Sequence, residues 1–290
     1  MARRVYTIIG LLIVGVGGGY IAFAASRLVP VDATSGSYSY TLLFSSAWWM
    51  LPIAALLGIF LGAYREHRRP KPEIKDGKIL RHDDVIFLEH WSVALSTALL
   101  AATGFTLGFF FIPRFVQNPE AVGFLLNLHF VGVLVFTFGV CHYVTDVILV
   151  GGVRALLPKA SDLKDSITQY TSKLGMAHPP RSGKYFPTQR ITYPLWVLSV
   201  LVISLTGLFK VAAHAWNLPA GLMGAMTWIH DLTALLMTLL LVFHVVAGAV
   251  VPWSWPLLRS MLTGYVSEDY ARKNHPGWVD EMAGDEASTA

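Results

Sequence analysis

Five histidines lie inside strongly apolar stretches of this 290-residue chain, where ionisable side chains are rare. Two of them, His230 and His244, are fourteen residues apart. That spacing turns an α-helix to within about 40° of its starting face and advances it by about 21 Å. The two side chains therefore share one helix face at two different levels. The other three are His90, His129 and His142.

Imidazole nitrogens at such positions can bind metals, and paired imidazoles from separate helices are axial ligands of haem iron. One haem cannot span the distance between His230 and His244, so each would need a partner histidine on another helix. A lone membrane histidine is more often a packing or proton-relay residue. Four histidines that match in pairs favour two bound haems instead.

Six apolar stretches are long enough to carry these histidines across a bilayer. Hydrophobic residues form 54% of the chain and charged residues 14%, which excludes an ordinary soluble domain. The runs are continuous, so a membrane barrel of short alternating strands is not expected. About 20 helical residues span the hydrocarbon core. The predicted spans are Val5–Ser26, Thr41–Tyr64, Val85–Ile112, Ala121–Val150, Ile191–Ala213 and Leu222–Val251.

The basic residues fall almost entirely on one side of these spans. If the N-terminus is inside, inner segments hold 19 of the 22 Lys and Arg residues, all except Arg27, Arg114 and Lys210, as expected of a cytoplasmic face. We therefore predict a multi-pass protein of the bacterial inner (plasma) membrane with both termini cytoplasmic. The net charge of +4 reflects this topology, and no nucleic-acid partner is expected.

The predicted level of each histidine in the membrane indicates which histidines can pair. The third span begins inside, so His90 lies at the level of His244, and the fourth begins outside, so His129 lies at the level of His230. The prediction is an inner pair, His90 with His244, and an outer pair, His129 with His230. His142 is thirteen residues after His129, a rotation of about 220°, so we expect it to face away and act beside the inner haem, at a quinone or at an interface.

The last four spans, three of which contain the membrane histidines, form the C-terminal part of the chain. Residues 1–80 comprise two spans without histidine and a basic linker from Arg65 to Arg81, residues 81–256 hold the four spans, and residues 257–290 form a polar cytoplasmic tail. The connection from Gly151 to Arg190 is expected to be structured. The single cysteine, Cys141, excludes a disulfide framework and places any iron–sulfur centre on another subunit.

A short internal similarity relates the third and fifth spans. Thr103-Gly104 occurs in the first of these and Thr206-Gly207 in the second. Gly104 also lies fourteen residues after His90, on the same helix face. Such pairs are typical of places where helices, or a flat cofactor, approach closely.

Residues from about Arg81 to Met282 resemble the gamma subunit of respiratory formate dehydrogenase, a four-helix di-haem cytochrome b. The resemblance implies an all-α membrane protein in which this di-haem bundle follows two extra helices. The matching segments are Glu89-His90-Trp91, Leu128-His129-Phe130, Gly183-Lys184-Tyr185 with Gln189-Arg190, Ile229-His230 through His244, and Arg272-Lys273-Asn274-His275-Pro276-Gly277-Trp278.

In that family the ligands matching His90, His129, His230 and His244 bind two haem b groups in the same pairs. The resemblance also implies that a quinone, menaquinone or ubiquinone, binds beside the inner haem, for which the candidate residues are Lys184, Gln189 and Arg190. The family has asparagine and glycine at two positions of this pocket, where Phe186 and Thr188 stand here.

The partners implied are an iron–sulfur beta subunit and a catalytic alpha subunit with molybdopterin or tungstopterin, in membrane lipid. Formate chemistry would take place on that alpha subunit, and the complex could be a higher oligomer. Three alternatives stay open: the cytochrome b subunit of a nickel–iron hydrogenase or of another molybdenum or tungsten oxidoreductase, a histidine-dependent proton-coupled transporter, and a structural membrane anchor.

Overall fold

The computed structural model describes residues 2–31, 36–66, 74–109, 112–150 and 153–289. The middle of the predicted Arg65–Arg81 linker, with His67, lies outside the described residues. The described chain is mostly helical. Its helices are α1 (Ala2–Ser26), α2 (Leu43–Ser46), α3 (Met50–Glu66), α4 (Asp84–Leu107), α5 (Pro119–Val150), α6 (Val153–Leu156), α7 (Asp162–Lys173), α8 (Pro187–Ala212), α9 (Ala220–Val245), α10 (Trp255–Thr263), α11 (Glu268–Asn274) and α12 (Pro276–Thr289).

Five helices in the described part of the chain are long and apolar enough to cross a membrane, namely α1, α4, α5, α8 and α9. The predicted second span, Thr41–Tyr64, contains the short α2 and the 17-residue α3 instead of one long helix. Pro52 lies in the first turn of α3, where a missing backbone N–H is tolerated. Six spans therefore remain a prediction, because α3 is shorter than a typical spanning helix.

Two compact units divide the chain. The first unit comprises Met1–Tyr64, Leu88–Thr145 and Val200–Leu241. In it, the buried Asn127 side chain on α5 accepts from Leu43 N at 2.8 Å and donates to Thr41 O at 2.9 Å, which fixes the start of α2. A short antiparallel ribbon of β1 (Val29–Pro30) and β2 (Tyr38–Ser39) precedes it.

Helix α5 also packs closely against α4 and α3 in the first unit. A Cβ atom added at Gly139 would lie 2.7 Å from Ser92 Oγ on α4, and one at Gly58 on α3 would collide with the backbone oxygen of Phe138. Both contacts are too close for any residue with a side chain, as is common where membrane helices approach one another.

The second unit comprises Arg65–Phe87, Asp146–Ser199 and Val242–Ala290. It contains an antiparallel sheet in the order β3 (Ile74–Lys75), β4 (Lys78–Leu80) and β5 (Tyr265–Ser267). Asp76 and Gly77 join β3 to β4 with positive φ angles of 51° and 67°, the geometry of a two-residue hairpin turn. These two- and three-residue strands were not predicted, because each is too short to show an alternating pattern.

The C-terminal tail folds onto this sheet. The hydrophobic core formed by the tail and the sheet consists of Ile79, Val266, Ala271, Trp278, Val279 and Met282. Gly277 N donates to Ser182 O at 3.1 Å, and His275 Nδ1 lies 2.8 Å from Gly183 O. The Arg81 guanidinium lies 5.2 Å from the Trp278 ring centroid and also donates to Lys184 O. These contacts hold the segment before α8 against the tail. Burial of the Arg81 guanidinium lowers its pKa to about 10.

Acidic pH should destabilise the folded C-terminal tail, because His275 binds a proton more readily when the tail is unfolded. Burial and the nearby Arg81 charge lower its pKa from 6.5 to about 3, so unfolded tail binds a proton at a pH where folded tail does not. The stabilisation is complete above pH 6.5 and is lost as pH falls toward 3, by up to about 1.4 kcal/mol per pH unit. Hydrogen exchange around Trp278 should therefore accelerate as pH falls below 6.5, after correction for the intrinsic rate.

The matched variants are His275→Asn, whose amide can still donate to Gly183 O, and His178→Asn at an exposed position. We expect the first to flatten the pH dependence and the second to leave it unchanged. An unchanged pH dependence in H275N would show that another group causes it.

Candidate functional site

A cavity of about 1010 Å³ lies within the first unit. It is as large as the upper end of the range for cofactor sites, ~300–1,000 Å³. Most of its wall is apolar, supplied by residues such as Leu100, Phe136 and Met237. Two of the predicted ligands, His129 from α5 and His230 from α9, line this same cavity. The structure therefore brings together the predicted outer pair.

A threonine on α4 holds His129. Thr103 Oγ1 lies 2.7 Å from His129 Nδ1 and 2.9 Å from Leu99 O, one turn back on its own helix. A hydroxyl has one proton, and a carbonyl can only accept. Both contacts are satisfied when Thr103 donates to Leu99 O and accepts from the His129 Nδ1–H group.

His230 has the same arrangement with a threonine on α8. Thr206 Oγ1 lies 3.0 Å from His230 Nδ1 and 2.8 Å from Val202 O. The hydroxyl proton is again directed to the carbonyl, so His230 Nδ1 donates. In both histidines the proton is then on Nδ1, which leaves the Nε2 lone pair available to a metal.

A glycine follows each of these threonines and lies beside the imidazole. A Cβ atom added at Gly207 would be 3.5 Å from His230 Cε1, and one at Gly104 would be 3.9 Å from His129 Cε1. Both glycines line the cavity. Their missing side chains keep space open next to the two rings.

Charged side chains also line the cavity, namely Arg114, Lys210 and Asp231. Arg114 and Lys210 are two of the three basic residues that the predicted topology places outside. Cations facing a membrane cavity are expensive unless they meet negative groups. The carboxylates of a haem would provide such groups, so a haem suits both the histidines and the cations of this wall.

The predicted inner ligands are in different units. His90 is on α4 in the first unit, and its ring contacts the Trp91 ring edge-on at a centroid distance of 5.2 Å. His244 is in the last turn of α9 in the second unit, where Trp196 contacts it edge-on at 6.3 Å. The pairing of His90 with His244 stays a prediction.

His142 is fully buried beside an acidic side chain. Its Nδ1 lies 3.3 Å from Glu89 Oε1, and its ring stacks on Phe138 at 5.9 Å between centroids. Glu89 immediately precedes His90 in the sequence. This placement is consistent with a supporting role beside the inner ligand, and Glu89 was not among the sequence candidates.

The three candidate quinone residues lie in or just before the start of α8. Gln189 Oε1 accepts from Phe186 N at 2.9 Å, and Arg190 Nε donates to the buried Asp162 carboxylate at 2.9 Å. That hydrogen bond holds the pKa of Asp162 below its usual range. Lys184 Nζ lies 5.9 Å from the Tyr185 ring centroid. Gln189 and Arg190 thus also stabilise the local fold, and their quinone role stays a prediction.

The sequence alone did not single out Thr103, Thr206, Arg114 or Lys210 as site residues. The repeated Thr-Gly pair was a signal for Thr103 and Thr206, although a common dipeptide could not reveal their histidine contacts. Arg114 and Lys210 stood out as exceptions to the positive-inside distribution. Asp162 carried no signal, because only the fold brings it to Arg190.

The long apolar helices are those of an integral membrane protein, and the histidine-lined cavity is large enough for a metal-containing cofactor. The chain belongs to the prokaryotic cytochrome b561 family, whose model matches residues 81–264. No curated protein matches the chain. Family membership makes it a multi-pass bacterial membrane cytochrome b and implies bound haem b.

Proposed function

We propose that this cytochrome passes electrons through two b haems between an iron–sulfur subunit and the quinone pool. One observation carries the proposal: two histidines from different helices line one cavity, each with Nδ1 held by a threonine and Nε2 left for iron. Haem supplies one-electron redox chemistry when bound. The chain would contribute the axial ligands, a mostly apolar wall and compensating charge.

In this proposal His129 and His230 hold the outer haem, and Arg114 and Lys210 face its carboxylates. His90 and His244 hold the inner haem. The fourteen-residue spacing on α9 supports two levels, because its two histidines are about 21 Å apart along the axis. The positive-inside distribution supports cytoplasmic termini and places the inner pair at the cytoplasmic level.

Quinone, either menaquinone or ubiquinone, would react beside the inner haem near Lys184, Gln189 and Arg190. Support for this placement is the resemblance to the formate dehydrogenase gamma subunit, together with the tail that clamps the segment containing Lys184.

The catalytic partner distinguishes two versions of the proposal. Formate dehydrogenase, with a molybdopterin or tungstopterin subunit, is favoured by the tail motif from Arg272 to Trp278. The short name of the matching family model refers to nickel hydrogenase cytochrome b, which supports a hydrogenase partner. Metal analysis of the co-purified complex separates them, since molybdenum or tungsten supports the first and nickel the second.

Haem content tests the electron-transfer proposal directly. We expect about two b haems per chain in the intact purified complex, with the sharp reduced bands of low-spin, six-coordinate iron. The proton-coupled transporter predicts no chromophore. A colourless preparation that contains no iron would rule out the proposed function.

A further inference from the structure

The two Thr-Gly pairs occupy equivalent places around the cavity. Thr103-Gly104 on α4 contacts the histidine of the next membrane helix, α5, and Thr206-Gly207 on α8 contacts the histidine of its next helix, α9. Each pair supplies a hydroxyl to Nδ1 and an open space beside Cε1. The short similarity between the two spans thus corresponds to two copies of one histidine support.

We propose that Thr103 and Thr206 are positioning residues that fix the tautomer of His129 and His230 and thereby set the reduction potential of the outer haem. The inference rests on the proposed function, because it takes these histidines as haem ligands. Neither threonine need touch the haem. Each acts through the imidazole that it holds.

The direction of the effect follows from the hydrogen bond. An Nδ1–H group that donates makes the ring a stronger electron donor at Nε2. A stronger donor favours ferric over ferrous iron, because the oxidised ion has the larger positive charge. The two threonines therefore lower the potential of the outer haem relative to a haem whose imidazoles lack this bond.

The hydroxyl is already oriented by the helix before any cofactor binds. Each threonine donates to the carbonyl four residues back, at 2.9 Å for Thr103 and 2.8 Å for Thr206. Both threonines are buried, so water does not compete for the hydroxyl oxygen. In the alternative tautomer the proton on Nε2 would block the iron-binding nitrogen, and the threonine could donate to Nδ1 only by giving up its bond to the helix carbonyl.

The same cavity offers a matched control. Thr238 on α9 lines the wall and donates to Ala234 O at 2.8 Å, the same bond to its own helix. The described structure gives its hydroxyl no histidine contact. Thr238→Val therefore removes the same atoms from the same helix bond and leaves both ligands unaffected.

The experiment compares Thr103→Val, Thr206→Val and Thr238→Val by potentiometric titration of the purified complex, with haem content and low-temperature EPR of the ferric haems. In T103V and T206V we expect one haem potential to rise and its ferric signal to move. A tenfold loss of preference for ferric iron equals a shift of about 59 mV. The other haem and T238V should be unchanged.

Serine variants separate positioning from packing. Thr103→Ser and Thr206→Ser keep the hydroxyl, so they should restore the wild-type potential. Loss of one haem in a valine variant with recovery in the serine variant also supports the inference. Unchanged potentials in T103V and T206V, equal shifts in T238V, or haem loss in the serine variants would overturn it. A wild-type complex without haem would instead refute the proposed function.

Discussion

Replacing His230 with alanine should remove the outer haem and leave the inner haem bound, which halves the haem content of the purified complex. In the proposed site this imidazole would be one of two iron ligands, and His129 alone would be left to hold a haem in a cavity of about 1010 Å³. Haem analysis per chain and the low-spin spectrum measure the result. His129→Ala should give the same phenotype, and the double variant should lose no further haem, because both residues serve one site.

His214→Ala is the control for this prediction. His214 also lines the cavity, but its Nδ1 lies 3.1 Å from Ser45 Oγ and its ring stacks on Phe44 at 6.1 Å. We expect both haems to remain in this variant. Full haem content in H230A, or loss of a haem in H214A, would show that the outer ligands are wrongly assigned.

The membrane helices and the positions of His129 and His230 on them were predictable because both depend on strong local signals. Apolar length identifies the spans that contain His129 and His230, and the positive-inside rule orders them by depth. The observed helices α4, α5 and α9 contain the four predicted ligands. Two of these residues, His129 and His230, line one cavity, and the pairing by depth stays a prediction.

Features that depend on contacts between distant segments were not predictable. The hydrogen bonds of Thr103 and Thr206 join α4 to α5 and α8 to α9. The contact between Arg81 and Trp278 joins the residue after β4 to the C-terminal tail. Asp162 and Arg190, which form a hydrogen bond, are 28 residues apart in the sequence. None has a periodic pattern in the sequence. The interruption between α2 and α3 was also missed, because a hydropathy window averages over the turn before Pro52.

Replacing His244 with alanine should disconnect the complex from quinone while the outer haem stays bound and reducible. The fourteen-residue spacing predicts that His244 lies about 21 Å from His230 along the helix axis, so the loss of His244 should not disturb the threonine-held pair. We expect one haem per chain, reduction of that haem by the natural electron donor, and no quinone reduction above background. Anaerobic stopped-flow spectra with a soluble quinone analogue measure both steps.

The control is His142→Gln, which replaces a buried histidine but keeps a polar group that can bond to Glu89. It should retain both haems, because the rotation from His129 turns His142 away from the iron-binding face. If H244A retains both haems and H142Q loses one, His142 is the inner ligand and the depth pairing is wrong. If H244A loses both, the two sites are not independent, and the separation of levels along α9 does not isolate the outer haem.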